Sequence, residues 1–172
     1  MPTRLTVLIK HQDIERAVTK LARTIQHDYL NKNPLLIGIL KGSFIFMADL
    51  VREIAMPLEV DFIRLSSYSS GTESSGRIKV LSRLNEPVEA RHVLIVEDII
   101  DTGLTTAYFI KYLKRKRPAS VRLCALTEKP SRRKTAVKID YLGFTVPDKF
   151  IVGYGIDWNE KYRNLPDICY IE

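Results

Sequence analysis

The sequence is short of the residues that most often announce a chemistry. Its 172 residues include two cysteines, three histidines and one tryptophan. Cys124 and Cys169 lie far apart, each in an apolar run. With no Cys-x-x-Cys and no Cys/His spacing they offer no zinc site. They read as buried free thiols of a reducing compartment, which points to the cytoplasm. His11, His27 and His92 stand at no spacing that pairs them with a nucleophile, so no Ser/His/Asp arrangement emerges. No run approaches the roughly 18 apolar residues that a membrane span needs. Residues 1–10 also lack the apolar core and small-residue cleavage site of a secretory signal. Two nucleotide-binding motifs are missing as well. Neither Gly38 nor Gly42 opens a GxxxxGK[ST] loop, and Gly153-Tyr154-Gly155 starts a GxG without a third glycine or a following amphipathic helix.

What is present is ordinary globular material. The length matches one domain of about 100–200 residues. Apolar residues make up 45% and charged residues 27%, which excludes a disordered chain. The formal net charge of +7 leaves nucleic acid, a membrane surface or a small polyanion as partners. Much of the excess sits in Lys111, Lys114, Arg115, Lys116 and Arg117, just before Pro118, and in Arg132, Arg133 and Lys134. The first group reads as a helix C-terminus, where cations suit the dipole.

Residues 14–29 carry Ile14, Ala17, Val18, Leu21, Ala22, Ile25 and Tyr29, a spacing of three and four that predicts an amphipathic helix with Asp13 as its cap. Residues 35–40 form a nearly unbroken apolar run, the mark of a strand buried on both faces. A helix over 44–54, stopped by Pro57, and a strand over 58–65 follow. Residues 66–77 hold six serines and two glycines with little that could anchor to a core. So long a loop inside a domain reads as a mobile lid or binding loop. Then come a strand over 92–96, a helix over 104–116, a strand over 120–127 and short strands near 139–142, 150–152 and 169–171. Alternating strands and helices predict an α/β domain with a parallel sheet.

The informative stretch begins at Val93-Leu94-Ile95-Val96-Glu97-Asp98 and ends at Asp101-Thr102-Gly103-Leu104-Thr105-Thr106. A buried strand ends in two carboxylates, and a turn with a third leads into a helix. In open α/β sheets ligands sit beyond the carboxyl ends of the strands. Residues 101–106 combine small side chains, hydroxyls and free helix N-terminal amides, which together make a phosphate cradle. Helix capping alone needs one such residue. It leaves Glu97 and Asp98 unexplained at the end of an apolar strand, where desolvating a carboxylate is costly.

These residues resemble the phosphoribosyl-pyrophosphate signature of the type I phosphoribosyltransferases. The Glu97-Asp98-Ile99-Ile100-Asp101-Thr102-Gly103 form is similar to that of the hypoxanthine-guanine phosphoribosyltransferase family. Leu40-Lys41-Gly42-Ser43 resembles the family's pyrophosphate loop, which often contains a non-proline cis peptide. Ser67-Tyr68 opens a segment like its catalytic lid. Lys129-Pro130 and Pro147 to Tyr154 look like its purine pocket, and Asp157 with Glu160 to Pro166 looks like its C-terminal motif. The resemblance implies one domain over residues 1–172 with the type I fold: a central, mainly parallel sheet flanked by helices, and a small hood built from terminal segments. Without extra terminal segments it is expected to be of the short bacterial type.

The activity so implied is purine salvage, in which hypoxanthine or guanine, and in some relatives xanthine, displaces pyrophosphate from phosphoribosyl pyrophosphate in the presence of magnesium. Asp101 is then the expected general base. Glu97 and Asp98 face the ribose and magnesium. Thr102, Gly103, Leu104, Thr105 and Thr106 hold the 5′-phosphate, Leu104 through its backbone because relatives with lysine there have an extra cation. Lys41, Gly42 and Arg163 face pyrophosphate. Lys129, Phe150, Ile151 and Asp157 read the purine, Asp157 also meeting a second magnesium, and Ser67 and Tyr68 belong to the lid. A homodimer or homotetramer is expected, with no membrane partner. A second reading is a phosphoribosyl-pyrophosphate-sensing regulator on the same fold that binds nucleic acid. The net charge is compatible with it, whereas the lid, the purine-pocket residues and the lack of a preceding winged-helix segment disfavour it. The Glu97-Asp98 pair and Lys129 argue against adenine or pyrimidine as the base.

Overall fold

The computed structural model describes residues 4–67 and 78–172. The chain runs through β1 (Leu5–Ile9), α1 (His11–Asp28), β2 (Leu35–Leu40), α2 (Phe44–Glu53), β3 (Glu59–Ser67), β4 (Ile78–Val80), β5 (His92–Ile100), α3 (Leu104–Lys114), β6 (Ser120–Glu128), β7 (Tyr141–Thr145), β8 (Ile151–Val152) and β9 (Ile168–Ile171). A single 3₁₀ turn, Pro130–Arg132, follows β6.

The larger sheet has the order β4-β3-β2-β5-β6-β7. All its pairings are parallel except β3 with β4. Its central strands read as solid apolar runs because both faces are covered. Leu36, Leu94, Val96, Cys124 and Leu126 pack with α1 and α2 on one side. Leu35, Ile37, Val93, Ile95, Leu123 and Ala125 pack with Phe109 and Leu113 of α3 on the other. Both cysteines are buried free thiols, as expected. No helix among the described residues is long and apolar enough to cross a membrane.

The smaller sheet, β1-β9-β8, is antiparallel and joins the two ends of the chain. This is the hood of the type I fold, and it is pinned to the main body. The Tyr154 hydroxyl donates to Asp49 of α2. Asp167, just before β9, accepts a hydrogen bond from the His11 backbone amide at 2.7 Å.

That last contact corrects the expected helix start. Asp13 lies in the first turn of α1, and Lys10 occupies the cap position without a side-chain hydrogen bond. The capping carboxylate comes from Asp167, far away in sequence, so no local pattern could show it. Several element boundaries also differ, β7 among them, which runs over Tyr141–Thr145 rather than 139–142. The strand expected over 92–96 continues to Ile100, which places Glu97 and Asp98 inside it rather than at its end. Ser66 and Ser67 belong to β3, and β4 has no counterpart in the sequence pattern. The remaining lid positions, including Tyr68, lie outside the described residues.

Replacing a helix cap by alanine costs about 1 kcal/mol. Asp167→Ala should therefore lower the melting temperature by about 2–4 °C, read by thermal unfolding. An unchanged midpoint would mean that Asp167 does not hold the start of α1.

Candidate active site

The site forms where β2 and β5 end side by side and α3 begins. A cavity of about 220 Å³ is lined by Leu40 at the end of β2 and Gly42 just after it, by Glu97, Asp98 and Asp101, and by Thr102, Gly103, Thr105 and Thr106 around the start of α3. Every residue assigned from the sequence to the ribose and 5′-phosphate lines it except Leu104, the first residue of α3.

The phosphate cradle is braced from outside. Lys134 and Thr135 donate backbone hydrogen bonds to the Thr102 carbonyl at 2.9 and 3.1 Å. Gly103 caps α3 with the Thr135 carbonyl pressed against it. The α3 amides are thus aimed at the cavity, with the helix dipole favouring an anion there.

The two carboxylates on β5 are buried among apolar residues. Burial, together with the neighbouring Asp98 charge, pushes Glu97 well above the usual carboxylate range, although Thr106 donates to it at 3.5 Å. Burial likewise pushes Asp98 up to about 6 against the pull of backbone amides and Arg163. Asp101, one turn further on, has a buried Oδ1 with no partner among the described residues.

The loop after β2 closes in on Asp98. The Leu40–Lys41 peptide is cis, as the resemblance implies. A Cβ on Gly42 would lie 2.0 Å from Asp98 Oδ2, so only glycine lets the backbone approach this carboxylate. From the hood side, a Cβ on Gly155 would lie 2.1 Å from the Gly42 carbonyl, and its φ of +98° also suits glycine. Beyond Gly155, Arg163 donates to the Gly155 carbonyl at 2.8 Å and pairs with Asp157 at 2.9 Å. Asp157 and Arg163 both act electrostatically on Asp98.

Lys129, Phe150, Ile151 and Asp157 stand outside this cavity. Lys129 follows β6 and is buried, and its amide donates to the Ile100 carbonyl at 2.9 Å. Burial pushes its ammonium below the ordinary lysine range, while Asp101 and Asp148 pull it back. Phe150 is 53% exposed beside β8, whereas Ile151 is buried. An exposed aromatic there is free to stack on a ligand rather than serving the core.

Several supporting residues carry little signal in the sequence. Thr127, fully buried on β6, donates to the Asp98 carbonyl at 2.8 Å. Ser43 donates to the Ile39 carbonyl at 2.7 Å and fixes the turn into α2. A hydroxyl inside an otherwise apolar run is the available signal for Thr127. The partners of Ser43 and Gly155 have none.

No group of three or more carboxylate, imidazole or thiolate side chains converges as a metal cage among the described residues. Two adjacent carboxylates beside an anion cradle instead suit magnesium, which keeps several waters and takes few protein ligands plus phosphate oxygens.

A model of the phosphoribosyl transferase domain family matches residues 6–159. Fold, cradle and match together define the class as a phosphoribosyltransferase domain. Hypoxanthine-guanine phosphoribosyltransferase of Bacillus subtilis is 46% identical over 162 residues, which cover 94% of this chain and 90% of that protein. The crystal structure of a hypoxanthine phosphoribosyltransferase from Staphylococcus aureus is similar with a TM-score of 0.94 at 40% identity, covering 97% of this chain and 91% of that one. The bifunctional protein TilS/HprT of Listeria innocua is 46% identical over 94% of this chain, yet the chain spans only 25% of its length. The chain belongs to the hypoxanthine-guanine phosphoribosyltransferase family.

The raised Asp98 carboxyl has a consequence for stability. Between about pH 4 and pH 6 the folded protein binds a proton that the unfolded chain releases, so stability falls as pH rises through that window. A rise from 3.8 to about 6 is worth about 3 kcal/mol at most. In metal-free buffer at pH 8, Asp98→Asn should be about 1–3 kcal/mol more stable than wild type, with the gap closing near pH 4. Denaturant unfolding at both pH values measures this. Equal stability at pH 8 would show that Asp98 carries no such burden.

Proposed function

We propose that this protein transfers the 5-phosphoribosyl group from phosphoribosyl pyrophosphate to hypoxanthine or guanine, in purine salvage. The observation that carries this reading is the unpartnered buried oxygen of Asp101 at the edge of the anion cradle, within electrostatic reach of Lys129. A purine bound there would find a proton acceptor and a cationic donor in one place.

The 5′-phosphate occupies the amides and hydroxyls of 102–106. Glu97 and Asp98 accept hydrogen bonds from the ribose hydroxyls, directly or through the water shell of magnesium. Magnesium, held there by Glu97 and Asp98, would supply charge neutralisation for the leaving pyrophosphate. Lys41, Gly42 and Arg163 hold that pyrophosphate by a cation, a backbone amide and a guanidinium. The purine stacks on Phe150, beside the backbone of Ile151 and near Asp157. A ring nitrogen forms a bond to C1 of the ribose as the C1–O bond to pyrophosphate breaks. Asp101 accepts the proton that the imidazole ring loses. Ser67 and Tyr68 are the residues assigned to the lid, whose task would be to keep water from the sugar cation. The reduced cysteines fit a cytoplasmic location, and a homodimer or homotetramer is the proposed assembly.

Lys129 sets the choice of base. A 6-oxopurine offers its ammonium an acceptor, whereas adenine offers an amino group and leaves the buried ammonium unpaired. Sites built on one hydrogen bond reject the wrong partner by about 10⁴–10⁵. The test is turnover of hypoxanthine, guanine and adenine with phosphoribosyl pyrophosphate and magnesium. The two oxopurines should react and adenine should not. Binding of phosphoribosyl pyrophosphate without turnover of any base would favour the regulator instead.

Lys129→Ala should cut kcat/KM for both oxopurines by about 1.5–3 kcal/mol, roughly 10- to 150-fold, and narrow the gap to adenine. An unchanged ratio of hypoxanthine to adenine would remove Lys129 from base recognition. Asp101→Asn keeps the turn but not the proton acceptor. Its kcat should fall by about 10²–10⁴ while phosphoribosyl pyrophosphate still binds, and near-wild-type turnover at neutral pH would exclude Asp101 as the base.

A further inference from the structure

The two cations assigned to pyrophosphate already share an anion. Lys41 Nζ lies 2.8 Å from Glu160 Oε2, and Arg163 Nη2 lies 3.3 Å from the same oxygen. One carboxylate oxygen thus bridges the loop after β2 to the segment that precedes β9.

Glu160 is an odd residue for its backbone position. Trp158 and Lys161 exchange two backbone hydrogen bonds, Trp158 N to Lys161 O at 3.1 Å and Lys161 N to Trp158 O at 3.0 Å. Between them Asn159 and Glu160 have φ of 51° and 62°. This is a two-residue hairpin turn with both central residues left-handed, for which Asn-Gly is the favoured pair. Asn159 suits its place. At the next position a Cβ is penalised and glycine would serve the turn better. Nor does packing account for the side chain, which is 63% exposed. Its carboxylate meets Lys41 and Arg163, while its own amide donates to Asp157 at 2.9 Å.

We propose that Glu160 is an internal competitor of pyrophosphate. Its carboxylate occupies Lys41 and Arg163 when pyrophosphate is absent and gives them up when the leaving group enters. The inference rests on the assignment of those two cations to pyrophosphate. Arg163 can exchange partners without losing its place, because the Gly155 carbonyl and Asp157 keep hold of it. Its Nε is buried with no partner among the described residues. The arrangement spares two cations from facing each other bare. It also returns an anion to them as pyrophosphate departs, which speeds release.

Both pairs are solvent-exposed on at least one side, so each is worth little, and the competition should amount to about 3- to 10-fold in affinity. The experiment is calorimetric titration of wild type, Glu160→Gln and Glu160→Gly with magnesium pyrophosphate and, separately, with inosine 5′-monophosphate. Both variants should bind pyrophosphate about 3- to 10-fold more tightly at low salt, with the gain shrinking at high salt. Affinity for the nucleotide, which uses the 102–106 cradle, should not change, and Glu160→Gly should melt no lower than wild type. Wild-type pyrophosphate affinity in Glu160→Gln overturns the inference. An equal gain for the nucleotide overturns it too, by revealing a general charge effect. Failure of the wild type to bind pyrophosphate at all instead overturns the assignment of Lys41 and Arg163.

Discussion

Everything at the site follows from carboxylates carried on a strand whose two faces are both buried. β5 can hold Glu97 and Asp98 only because the strand also supplies Leu94, Ile95 and Val96, which lock it between the two helical layers. Neither carboxylate gains a salt bridge among the described residues, and both are held above their ordinary range. Surroundings that could have stabilised the fold are thus left open to a ligand carrying hydroxyls and a metal. This is the usual exchange between stability and function at a binding site.

The hood gives the other half of the site its position. Its strands come from the two ends of the chain, so its placement depends on contacts with the main body. The Tyr154–Asp49 hydrogen bond and the Asp167 carboxylate at α1 anchor it. Gly155 then meets Gly42, which meets Asp98, in a line of backbone contacts where any side chain would intrude. Displacing the hood would therefore move the loop after β2 relative to β5. Through this line the terminal segments, which contribute no group to the cavity itself, fix the spacing between the cations and the carboxylates.

Much of this is legible in the chain. Strands such as 35–40 announce burial on both faces by their unbroken apolar content, and a helix with the 3–4 spacing of Ile14 to Ile25 has one natural reading. The 97–106 stretch shows itself through a conflict, carboxylates where the pattern asks for apolar residues. Lys129 is harder, since a lysine between Glu128 and Pro130 looks exposed and its burial depends on the fold. Phe150 reverses the usual expectation for an aromatic, being exposed where core is the ordinary reading. The cap from Asp167 and the apposition of Gly42 and Gly155 lie beyond reach. The first joins a carboxylate to a backbone amide far away in sequence and the second joins two backbones, so neither leaves a local side-chain pattern. The end of β5 falls later than its pattern suggests because polar residues usually close a buried strand, and here they continue it.

The chain has one tryptophan, and it sits beside Glu160. Trp158 opens the two-residue turn, is 38% exposed, and lies nearly parallel to Tyr162 with ring centres 6.4 Å apart. All indole emission from this protein therefore originates within a few residues of Lys41's partner, with a phenol as its immediate neighbour. The hairpin carries its own optical label, and any rearrangement there is visible in the native protein without adding a dye.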